Sequence, residues 1–151
     1  MNIYERIRKD HEKHRDLLNK LAETSGDTEE RKSLFNELLT DVKSHANAEE
    51  QSFYSLLMND NDGQEKARHS VSEHKEANDL FDELEEMDMS NPHWLQKFKE
   101  LKDELEHHME EEENEVFTMA RKVISDTRAK ELTAKFNERK AQELNELEQS
   151  S

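Results

Sequence analysis

The sequence predicts an all-α fold of five helices, and three observations predict it. Glycine and proline are nearly absent, with two and one in 151 residues. The chain is rich in Glu, Lys, Leu and Gln, which form helices readily and strands poorly. Four turn-forming clusters fall at regular intervals and leave long periodic segments between them. Only 31% of the chain is hydrophobic and 40% is charged, a composition otherwise found in disordered proteins. A folded state must therefore be helical and built on a small core.

The clusters are Thr24-Ser25-Gly26-Asp27, Asn59-Asp60-Asn61-Asp62-Gly63, Ser90-Asn91-Pro92 and Ser125-Asp126. They place helices over residues 2–23, 29–58, 64–88, 92–124 and 127–148, and the short connections imply antiparallel neighbours. The first four form one unit, 1–124; residues 125–151 are a C-terminal helical extension.

Each segment carries apolar residues every three or four positions, as an amphipathic helix requires. The first has Ile3, Ile7, Leu18 and Leu21; the second Leu34, Leu38, Val42, Phe53 and Leu56; the third Ala67, Val71, Phe81 and Leu84; the fourth Phe98, Leu101, Leu105, Val116 and Met119. Every stripe has a gap in its middle. The same spacing puts His11 and His14 into the first gap, His45 and Glu49 into the second, His74 into the third, and His108 and Glu112 into the fourth. The fifth segment has a narrow seam of Leu132, Phe136, Ala141, Leu144 and Leu147, suited to packing across the bundle or to pairing with a second copy.

A gapless offset of 63 residues carries His11 onto His74, His45 onto His108 and Glu49 onto Glu112. It also carries Asp10 onto Glu73, Leu21 onto Leu84, Phe35 onto Phe98 and Glu50 onto Glu113. Both the stripe and its gap repeat, which suggests two helical hairpins related by a pseudo-two-fold axis with a site between them.

Charge and composition narrow the chemistry. A net charge of −16 opposes binding to phosphate backbones, so nucleic acid is not an expected partner. No apolar run reaches the roughly 18 to 20 residues that span a bilayer, and Met1-Asn2-Ile3-Tyr4-Glu5 lacks the apolar core of a signal peptide; a cytoplasmic protein is expected. Without cysteine, any metal is held by nitrogen and oxygen.

His45-Ala-Asn-Ala-Glu49 and His108-Met-Glu-Glu-Glu112 both read His-x-x-x-Glu, a spacing that sets imidazole and carboxylate on one helical face. Alone, such a pair is most often a solvated helix-stabilising contact. Together with His11 and His74, six polar side chains would be buried in four stripes. Each unpaired one would cost about 1–3 kcal/mol. Two divalent transition metals satisfy all six: each could take two imidazoles, and both carboxylates could bridge. Iron is the expected occupant, with manganese and zinc able to accept the same atoms.

Asp10-His11, His45-x-x-x-Glu49-Glu50 with Phe53-Tyr54, Glu73-His74, and His108-x-x-x-Glu112-Glu113 with Val116-Phe117 resemble, in that order, the hemerythrin-like HHE cation-binding family over about residues 3 to 120. The resemblance implies an antiparallel up-down-up-down four-helix bundle, here with an additional C-terminal helix. It implies a non-haem di-iron centre with two carboxylate bridges and an oxo or hydroxo bridge, one iron being open to a diatomic ligand. It makes His11, His45, His74, His108, Glu49 and Glu112 the ligands. Oxygen-carrying hemerythrins have a further His where this chain has Asn78. The fifth imidazole here is His14, which could ligate, hydrogen-bond a coordinating carboxylate, or lie beside the stripe. The swap argues against simple oxygen carriage.

The remaining candidates have ordinary readings. His107 faces about 100° away from His108, and His69 and His93 lie off the stripes; all three read as surface. Glu50 and Glu113 read as solvated helix faces, with a role as bases next to the ligands or as occasional ligands as the alternative, and Tyr54 reads as core, with a hydrogen bond donated near the site as the alternative. One Glu-x-x-His, Glu104 to His107, falls short of the two a ferritin-type bundle needs. The expected function is a di-iron protein binding dioxygen, nitric oxide or peroxide for storage, sensing or detoxification; the alternative is a peroxidase, catalase or ferroxidase. It would work as a monomer or as a homodimer through the C-terminal helix.

Overall fold

The computed structural model describes residues 1–150. The helices are α1 (Ile3–Ala22), α2 (Glu29–Glu49), α3 (Ser55–Met58), α4 (Gln64–Glu86), α5 (His93–Glu111), α6 (Phe117–Val123) and α7 (Asp126–Ser150). Single π-helical turns, Glu50–Tyr54 and Glu112–Val116, join α2 to α3 and α5 to α6. The expected rods over 29–58 and 92–124 are thus continuous in direction, each with one widened turn. The four rods make the up-down-up-down bundle, and α7 packs along α1 and α2.

Local chemistry sets the boundaries. Asn2 and Glu5 close a reciprocal capping box at the start of α1. Thr28 accepts from the Arg31 amide at the start of α2, and Ser125 Oγ accepts from the Arg128 amide in the first turn of α7. Gly26 turns the first loop at a φ of +68°, which favours glycine.

The core has two apolar layers with a polar one between them. Ile3, Ile7, Phe53, Leu57 and Phe117 fill one end, and Leu18, Leu21, Leu38, Phe81, Trp94 and Phe98 the other. Trp94 stacks on Phe98 and meets Phe35 edge-on. Each fully buried side chain of this size stabilises the fold by about 1.5–3 kcal/mol relative to exposure.

The C-terminal helix belongs to the same core. Ala129, Leu132 and Phe136 pack in the layer with Ile3 and Phe53, and the Phe136 ring meets the His45 ring edge-on at 5.4 Å. The seam departs from expectation beyond Phe136: Ala141 is exposed and Leu144 and Leu147 are half-buried, while Lys140 and Glu143 are buried. The physical reason is charge. Lys140 Nζ lies 3.0 Å from both Asp10 Oδ2 and Asp41 Oδ1, compensating two carboxylates that α1 and α2 bury. Lys140→Met would keep the volume but leave Asp10 with Arg6 and His45, and Asp41 with Lys13 and His14, as their remaining partners. Chemical denaturation is expected to give a loss of about 1–3 kcal/mol, the cost of leaving buried polar groups short of a partner.

Candidate metal centre

The polar layer is built by the hairpins in pairs. The α1–α2 hairpin brings His11 and His45 together, with ring centroids 5.5 Å apart; the α4–α5 hairpin does the same for His74 and His108 at 4.8 Å. Donor atoms of His11, His45, Glu49 and Glu112 lie within 4.8 Å of one another, as do those of Glu49, His74 and His108. Glu49 is common to both groups. Its Oε1 is 3.2 Å from His74 Nε2 and its Oε2 is 3.6 Å from His45 Nε2. Glu112 Oε1 is 3.1 Å from His11 Nε2, and Oε2 is 3.7 Å from His108 Nε2. Tyr54 donates its hydroxyl to Glu112 Oε2.

His11 Nε2, His45 Nε2, both oxygens of Glu49 and Oε1 of Glu112 are buried without a hydrogen-bond partner. Native interiors rarely leave such atoms unpaired. Five of them converging on one space, all nitrogen or carboxylate oxygen, fit the donor set of one or two divalent transition ions.

The outward nitrogen of each imidazole is held by a different carboxylate. His45 Nδ1 is 2.7 Å from Asp10, His108 Nδ1 is 2.9 Å from Glu73, His74 Nδ1 is 2.8 Å from Glu50 and His11 Nδ1 is 2.6 Å from Glu113. Such carboxylates fix the tautomer, direct Nε2 inward and raise its basicity. The 63-residue offset relates all four contacts, since it carries Asp10 onto Glu73 and Glu50 onto Glu113. Glu50 and Glu113 are therefore not simply solvated: Glu113 is further held by Arg15 at 2.9 Å. The offset is visible in the sequence, which by itself gives Asp10 and Glu73 no role. Their spacing from the ligands was the available signal.

His14 lies outside both groups. It is buried, and its Nε2 is 2.6 Å from Asp41 Oδ2, so the nitrogen that would ligate is spent on a carboxylate of α2. Its ring still lines a cavity of about 20 Å³ above the imidazoles, walled by Val42, Leu105 and Met109. Asn78 lines the same cavity. A space of that size holds about one water.

The protonation of the metal-free layer is uneven. Burial lowers His11 to about 4, although the Glu113 contact opposes the shift. Burial would lower His74 too, but the adjacent Glu49 and Glu50 carboxylates raise it to about 9. Burial and the charge of Glu49 hold Glu112 well above the carboxylate range. Burial alone would raise Glu49 as well, but the neighbouring His45 charge and the close His74 imidazole hold it well below. Metal must therefore displace protons from His45, His74 and Glu112. Affinity is expected to rise with pH until His74 deprotonates near 9, by about tenfold per unit for each proton released. Calorimetry in buffers of different ionisation enthalpy counts those protons; pH-independent uptake would contradict this assignment.

Residues 2–120 match the family model described as the hemerythrin HHE cation binding domain. The chain belongs to this family. A crystal structure of a hemerythrin HHE cation binding domain-containing protein from Mycobacterium kansasii superposes with a TM-score of 0.87 at 27% identity, covering 97% of this chain and 89% of that one. A protein named DNA nickase from Nostoc sp. (strain PCC 7120) is 26% identical over 141 residues, 93% of this chain. This hemerythrin-like chain spans only 40% of that relative's length. Among the described residues no helix is long and apolar enough to cross a membrane.

Proposed function

We propose that this chain is a di-iron protein that binds dioxygen or a related small molecule, nitric oxide or peroxide, for storage, sensing or detoxification in the cytoplasm. The observation that carries the reading is the pair of donor groups sharing Glu49 beneath the small cavity. His11, His45, Glu49 and Glu112 would hold one ion, and Glu49, His74 and His108 the other. When bound, iron would supply the one-electron chemistry that binding or reducing these molecules needs.

The chain's own groups support small-ligand chemistry. The three-donor group leaves the larger number of positions for an outside ligand. Val42, Leu105 and Met109 give the cavity an apolar wall, suited to a diatomic and poor for a charged metabolite. Asn78 can donate a hydrogen bond from its amide at the cavity edge. Glu50 and Glu113 are occupied with His74 and His11, and the Tyr54 hydroxyl with Glu112; His14, whose Nε2 is bonded to Asp41, lines the cavity. That placement favours the second reading, an enzyme that consumes peroxide with His14 moving a proton. The burial of Leu132 and Phe136 against their own bundle supports a monomer. The charge of −16 supports a partner other than nucleic acid.

Ultraviolet–visible spectroscopy tests the reading. Iron-loaded protein should show ferric charge-transfer bands that shift on adding azide. A spectrum indifferent to azide would reject an accessible centre. Steady-state peroxide consumption would assign the enzymatic reading, whereas a stoichiometric reaction that stops would assign the binding one.

A further inference from the structure

The pseudo-two-fold repeat is broken around Asp10 and its counterpart Glu73. On the α1–α2 hairpin, the outward side of Asp10 is neutralised by the protein itself: Arg6 Nη1 lies 2.7 Å from Oδ1 and Lys140 Nζ 3.0 Å from Oδ2. The same carboxylate holds His45. On the α4–α5 hairpin, Glu73 holds His108 through Oε1 and turns Oε2 outward. There, since α7 packs on α1 and α2, the ion-pair contacts of Glu73 among the described residues are with His69, His107 and His108. The 63-residue offset replaces Arg6, Ser44 and Ala48 with His69, His107 and Glu111.

These residues converge. His69 Nε2 is 3.0 Å from Glu111 Oε1 and 3.5 Å from Glu73 Oε2. His107 Nε2 is 3.0 Å from Glu111 Oε2 and 3.8 Å from Glu73 Oε2. His69, Glu73 and Glu111 each offer a donor atom within 4.8 Å of the others. His69-Ser-Val-Ser-Glu73 and His107-His-Met-Glu-Glu111 repeat the His-x-x-x-Glu spacing of the central layer, but on the outer face of two adjacent helices. The imidazoles are more than half exposed, while Glu73 is buried, so an ion could enter from solvent and meet a carboxylate already desolvated.

We propose that His69, Glu73 and Glu111, with His107 against Glu111, form a separate, surface-accessible site for a divalent transition-metal ion, of the zinc type, which occupies the position that Lys140 fills on the opposite hairpin. One imidazole and two carboxylates, with His107 or water completing the set, are donors zinc accepts in tetrahedral geometry. The site shares Glu73 with His108, so an ion bound there pulls on the carboxylate that orients a central imidazole.

The test titrates Zn²⁺ into the protein by calorimetry, its metal content determined before and after desalting. A His69→Ala, His107→Ala double variant is run in parallel; both side chains are exposed, and circular dichroism checks the fold. The expected result is one zinc equivalent taken up by the natural protein without loss of resident metal, weakened by at least about tenfold in the variant. No such equivalent, an equivalent unchanged in the variant, or uptake matched by release of resident metal would each overturn the proposal. Failure of the iron reading would appear in the resident metal content, not in the difference between the proteins.

Discussion

Glu49→Gln is expected to reduce metal uptake at both halves of the centre, by more than about 100-fold in affinity. Loss of a residue that merely supports a ligand costs about 10–100-fold, and Glu49 is itself a donor in both groups. The amide keeps the shape of the side chain but not its charge, so it can no longer neutralise two cations at once. Glu112→Gln provides the comparison. Glu112 joins one group, with Oε2 3.7 Å from His108 and engaged by Tyr54. It should impair the His11–His45 half and leave His74 and His108 able to retain an ion. Metal analysis of the two variants, with circular dichroism to verify folding, separates the cases. Equal losses in both would show that Glu49 is not the shared donor.

Removing the metal is expected to lower the melting temperature by roughly 8–16 °C. Five buried atoms lose their only available partner, in a fold whose total stability is about 5–15 kcal/mol. At a free metal concentration about 1,000 times its dissociation constant, binding stabilises the folded state by about 4 kcal/mol. Each kcal/mol moves the melting temperature of a domain this size by about 2–4 °C. The small core sharpens the effect, because the donors converge only when the four rods are assembled. Differential scanning calorimetry with and without chelator measures it. Coincident melts would show that the layer is satisfied without an ion.

Much of this was legible in the sequence, for reasons that particular residues make plain. The rods were readable because Gly26, Gly63 and Pro92 punctuate an otherwise unbroken helical pattern. The six central side chains were readable because each interrupts an apolar stripe at one level and the interruption repeats after 63 residues. The outer carboxylates were harder. Glu50 follows Glu49 directly, and an α-helix would turn it about 100° away. It lies instead in the first widened turn, and reaches His74. π-helical turns occur mostly as single insertions at functional sites and are built from residues equally at home in an α-helix, so nothing in the composition of Glu50–Tyr54 announces one.

His14 illustrates a different limit. Its position on the stripe agrees with its burial, but its partner Asp41 sits 27 residues away. Periodicity says which way a side chain faces and not which atom across the interface will bind it. Lys140 carries the same lesson over 130 residues. The packing of α7 on α1 and α2 decides it, and the apolar seam of that helix could not reveal a lysine among its buried positions.

Crystals of iron-loaded protein, with anomalous differences recorded at the iron edge, test the central claim most directly. The account predicts two peaks between the rods: one among His11, His45, Glu49 and Glu112, the other among Glu49, His74 and His108. A map without anomalous density there, with the four imidazoles turned toward solvent or bonded only to protein, would contradict it.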